Sequence, residues 1–76
     1  MTKHERMEFF ERQADEAYRQ MYDATSPSDA TARYGDAKDA LFGGIRIAYE
    51  IRDPATLTRL ARSLWAVRAV FRTQFP

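Results

Sequence analysis

The side chains in this chain that could do chemistry are few and unevenly spread. His4 is the one imidazole and there is no cysteine, so neither a thiolate nucleophile nor a thiolate metal site can be built. Carboxylates are plentiful. However, Glu8 stands four residues before Arg12, and Asp15 four before Arg19, the order in which acid and base stabilise a helix surface by about 0.2–0.5 kcal/mol per pair. The sequence holds no Glu-x-x-His pair of the kind that binds metal in helical bundles, and no glycine-rich phosphate loop. Tyr18 and Tyr22, one helical turn apart, read as core or interface aromatics. These features predict no enzyme, no metal and no cofactor.

What remains is recognition by cations. Trp65, Arg68 and Arg72 fall at helical spacing, two guanidiniums and an indole that could take an anion or a protein partner. Arg68 also falls beside an apolar stripe, where a guanidinium needs a counter-charge. A salt bridge to the acidic first segment is the expected source of it. Arg52, Arg59 and Arg62, with Thr58 and Thr73, would lie on the opposite, solvated side as a strip able to touch phosphates without reading sequence. Nucleic-acid binding through this arginine-rich third segment is therefore the alternative function to protein–protein interaction.

The elements that position these residues are marked by caps. Thr2-Lys3-His4-Glu5 has the capping-box form, and Met7, Phe10, Ala14, Ala17, Met21 and Ala24 then recur at steps of three and four. That pattern predicts an amphipathic helix over about 3–24. Ser26-Pro27-Ser28-Asp29 is a second start signal, with proline at the first helical position and an acid at the third. Asp53-Pro54 is a third. The predicted fold is all-α: an antiparallel helical hairpin (about 3–24 and 27–52) plus a third helix (about 54–74) lined by Leu57, Leu60, Leu64, Val67 and Phe71, making one domain over 1–76.

The stretch from Ile45 to Ile51 also alternates apolar and polar residues, as a strand would. No other segment has a matching two-residue period to pair with it. The stripe Ala30, Tyr34, Ala37, Leu41, Gly44, Ala48, Ile51 runs through it at helical spacing, so helix is the reading adopted. Across an antiparallel hairpin, positions whose numbers sum to about 54 or 55 should meet. This sets Met7 against Ala48, Phe10 against Gly44, Ala14 against Leu41, Ala17 against Ala37 and Met21 against Tyr34. Large opposes small at most layers, and Gly44 becomes a socket for Phe10.

The second helix carries more apolar surface than the hairpin uses. Phe42, Ile47 and Tyr49 extend it on two flanks and form the expected interface. A chain of 76 residues buries only about 60% of its unfolded surface, and without disulfides or metal a second subunit is the usual reinforcement. A homodimer is therefore expected. Net charge is +1, divided as −2 over residues 1–24, −1 over 25–51 and +4 over 52–76. There is no signal-peptide pattern, no apolar run of membrane-spanning length and no internal repeat, so the sequence predicts a cytoplasmic protein with no membrane association.

Overall fold

The structure, a computed structural model, describes residues 1–74. It consists of three α-helices: α1 (Lys3–Tyr22), α2 (Pro27–Glu50) and α3 (Pro54–Gln74). Each start signal in the sequence operates as a cap. The Glu5 N–H donates to Thr2 Oγ1 at 3.1 Å while the Thr2 N–H donates back to Glu5 Oε1 at 3.0 Å, which satisfies two backbone donors that the first turn would leave unpaired. Ser26 Oγ accepts from the Asp29 N–H at 3.1 Å. Asp53 accepts twice from one residue, at Oδ1 from the Thr56 N–H (3.1 Å) and at Oδ2 from the Thr56 hydroxyl (2.7 Å).

The turn between α2 and α3 is tight, as the sequence requires, and spans Ile51–Asp53. Arg52 takes a left-handed conformation (φ 57°), and the Asp53 N–H reaches back to the Ala48 carbonyl at 2.9 Å while the Arg52 N–H reaches Tyr49 at 3.2 Å. This is a Schellman closure with arginine where glycine is the usual occupant. α2 therefore stops at Glu50 and not at 52, and α1 stops at Tyr22, two residues short of expectation.

Among the described residues alanine supplies six of the twelve buried hydrophobic residues, Ala14, Ala17, Ala30, Ala37, Ala40 and Ala48. Such small residues let helix axes approach closely, and α1 lies along α2 for most of its length. α3 also packs on α2, but α1 and α3 barely meet, so α2 is the central element. The main core joins Ala14, Ala17 and Met21 to Ala37 and Leu41, and to Leu60 and Val67 of α3. A smaller cluster of Met7, Ile47 and Ala48 closes the other end.

The glycine contact differs from expectation by one residue. A Cβ on Gly43 would stand 2.9–3.1 Å from the rim of the Phe10 ring, so the ring lies on Gly43. A Cβ on Gly44 would stand 3.0 Å from Leu60 Cδ1 and 3.6 Å from Phe10 Cβ. Leu60 enters from α3 and takes the space above Gly44, and the ring is displaced to its neighbour. Tyr34, expected opposite Met21, stacks flat on Phe71 of α3 with centroids 4.3 Å apart, and Lys38 Nζ sits 5.2 Å from its ring centre.

Candidate interaction surface

α3 is oriented by its buried line Thr56, Leu60 and Val67. That line is rotated toward α1 relative to the stripe read from the sequence, and the rotation decides where the arginines go. Arg59 turns to α1 and grips Glu11 in a two-pronged pair, Nε to Oε2 at 2.9 Å and Nη2 to Oε1 at 3.0 Å. The carboxylate accepting these bonds raises the Arg59 pKa above its ordinary value. The expected clasp between the third helix and the acidic first helix thus exists, but Arg59 makes it. Arg68 is exposed and has no ion-pair partner among the described residues, which corrects the expected Arg68 salt bridge. Nor do Glu8–Arg12 and Asp15–Arg19 close to ion-pair distance; the short surface pairs that form are Arg33 with Asp29 and Asp36.

Trp65, Arg68 and Arg72 are brought together. With Ala69 and Thr73 they line a shallow, solvent-open hollow along the outer side of α3, and Trp65 is 75% exposed. Arg59 and Arg62 share the other side of α3, about 60° apart at 100° per residue, but the charge of Arg59 is already engaged by Glu11.

The expected interface residues separate. Phe42 (53% exposed) and Tyr49 (76%) stand on the outside of α2, whereas Ile47 is buried against Met7 and Ala48. Ile47 is therefore core, because the flank on which it lies is the one α1 covers. Phe42 and Tyr49 are seven residues apart, nearly in line on the helix. Between and beyond them the same line carries Gly35, Asp39 and Arg46, at steps of four and three from each other and from the aromatics. The sequence reading misses these three because the line mixes aromatic, charged and glycine residues, and a search for apolar periods skips it. The four-three spacing is the signal that could have found them.

Among the described residues no cluster of three or more histidine or carboxylate side chains stands ready for a metal ion, and no helix is long and apolar enough to cross a membrane. A further groove between α1 and α3, floored by Leu41 and walled by Ala14, Tyr18, Ala66 and Val67, marks where these two helices fail to close over α2. Comparison of the chain with protein-family models, with curated proteins and with solved structures found no match to any of them.

Proposed function

We propose that this chain is a small, non-enzymatic helical adaptor that works through protein–protein contacts, as a homodimer in the cytoplasm. The observation that carries this reading is the outer line of α2, where Phe42 and Tyr49 are held in solvent on the helix that is otherwise the most buried in the fold. Aromatic residues grouped on an exposed face are the usual mark of an interaction site. Shape agrees with it. The Cα radius of gyration is 12.6 Å, against about 11.4 Å for a compact chain of this length, as expected of a unit that completes its packing with a second subunit. The Trp65–Arg68–Arg72 face on α3 is then free for an unlike partner. Its two guanidiniums, which have no ion-pair partner among the described residues, suit an acidic protein segment.

Nucleic-acid binding through α3 is the second reading, supported by Arg62, Arg68 and Arg72, which are exposed and outside every ion pair among the described residues. It is weakened by Arg59, whose charge is already engaged by Glu11. Sedimentation separates the readings. The dimer predicts a species of twice the 8.8 kDa chain mass at micromolar concentration, lost when Phe42 and Tyr49 are both changed to serine. A monomer at every concentration tested, with salt-sensitive binding to DNA or RNA, would overturn it in favour of the alternative.

A further inference from the structure

The outer line of α2 contains five residues, Gly35, Asp39, Phe42, Arg46 and Tyr49, confined to an arc of about 80°. Within the protomer they have little to do. Gly35 has nothing within 4 Å of the position its Cβ would take, so no close approach accounts for a glycine that weakens the helix relative to alanine. Asp39 and Arg46 are exposed and make no ion pair among the described residues, although Arg33 on the same helix has two acidic neighbours and Glu50 is held by Lys3 at 3.1 Å. Asp39, Phe42, Gly43 and Arg46 line one shallow depression together with Arg6 and Phe10 of α1.

We infer that this line is the contact between two copies of the chain, with their α2 helices antiparallel about a two-fold axis at Phe42. The assignment rests on the homodimer proposed above and specifies its face and register. About that axis, positions meet where their numbers sum to about 84 or 85. Asp39 then meets Arg46 of the second copy, and the symmetry supplies the same pair again on the other side. Tyr49 meets Gly35, so the most exposed aromatic of α2 lies over the residue with open space above it. Phe42 meets Phe42 and Gly43 of the second copy at the centre. Acid is set against base at the two charged layers, and the large Tyr49 against glycine at the two outer ones. A parallel arrangement would set Asp39 on Asp39 and Arg46 on Arg46, a like-charge penalty that rejects it.

The test exchanges charges across the axis. Neither Asp39 nor Arg46 makes a side-chain hydrogen bond or ion pair among the described residues, so Asp39→Arg and Arg46→Asp should both retain the helical circular dichroism of the parent. Each variant alone meets only like charges at both contacts, and its dimer should dissociate at least tenfold more readily than the parent. Mixed in equal amounts, the Asp39→Arg chain presents a base at both charged positions and the Arg46→Asp chain an acid at both. Opposite charges then face each other at each contact, and the mixture should recover a one-to-one heterodimer in sedimentation or native mass spectrometry. A parent dimer whose two variants dimerise equally well, or whose mixture stays monomeric, overturns this register while leaving the homodimer in place through another face. A parent that is monomeric at about 100 μM overturns both.

Discussion

At Gly44 all three helices meet, and filling it tests the packing directly. The Cβ of a residue at 44 would lie 3.0 Å from Leu60 Cδ1 and 4.0 Å from the Met7 carbonyl oxygen. Leu60 is 1% exposed, so its methyl has nowhere to retreat, and the Met7 carbonyl is helix backbone. Replacing glycine by leucine in a helix interior gains about 0.8–1 kcal/mol of propensity. Forcing the extra carbons into a full site costs about 1–3 kcal/mol, and the upper part of that range, about 2–3, applies where a buried methyl and helix backbone both confine the site. For Gly44→Leu the second term wins, with a net loss of about 1–2 kcal/mol. For a domain of this size that lowers the melting temperature by roughly 4–15 °C. Gly43→Ala is the control. Its Cβ meets only the far rim of the half-buried Phe10 ring, which can swing outward, so the propensity gain is largely kept and stability should stay within about 1 kcal/mol of the parent. Urea unfolding followed by circular dichroism measures both. If Gly44→Leu melts with the parent, or Gly43→Ala is the more damaging change, the three-helix contact is misplaced.

Two more outcomes follow from the caps. Arg52 sits in the left-handed region, where a Cβ costs about 1–2 kcal/mol; glycine removes that strain but adds freedom to the unfolded chain worth about 0.4–1 kcal/mol. Arg52→Gly should therefore raise the melting temperature by a few degrees, and a lower one would contradict the Schellman corner. The Thr56 hydroxyl and N–H donate to Asp53 and hold its carboxyl below the ordinary aspartate range, and Thr2 does the same for Glu5 through its N–H and hydroxyl. Groups depressed on folding contribute stability above their unfolded pKa that is lost as pH falls through the folded one. Acidification below about pH 4 should lower the melting temperature, and Asp53→Asn, which keeps a cap acceptor but cannot titrate, should flatten part of that fall. An unchanged acid limb in Asp53→Asn would show that the cap charge contributes nothing.

Much of the architecture is legible in the sequence because helices announce themselves locally. A serine, threonine or aspartate oxygen before a helix and a 3.6-residue apolar period are properties of adjacent residues, and all three starts follow from them. What escapes depends on how the third helix sits on the other two. The arithmetic of a two-helix hairpin sends Phe10 to Gly44, since it has no place for the Leu60 methyl that fills that space. The same blindness gives Arg68 the salt bridge that Arg59 makes, because Leu64 and Phe71 draw the inward line of α3 away from Thr56, Leu60 and Val67. Ile47 falls on an outer flank in the sequence since the side of α2 that α1 chooses is not written in the period. The candidate surface is partly visible, through Phe42, Tyr49 and the Trp65 group. Its charged and glycine members are hidden by their mixed character.

The corner at Ile51–Asp53 also bears on how the chain reaches its fold. It joins two helices with almost no loop to close, and the Thr25–Ser26 turn does nearly the same for the first pair, while the pair most distant in sequence, α1 and α3, makes the least contact. Native pairing is thus mostly between chain neighbours, the topology whose search is shortest and whose folding times lie in the microsecond to millisecond range. α2 is the element both pairings share. A newly made chain can dock α1 onto α2 before α3 has been synthesised, so the apolar face of the first helix is already covered when the arginine-rich last helix emerges.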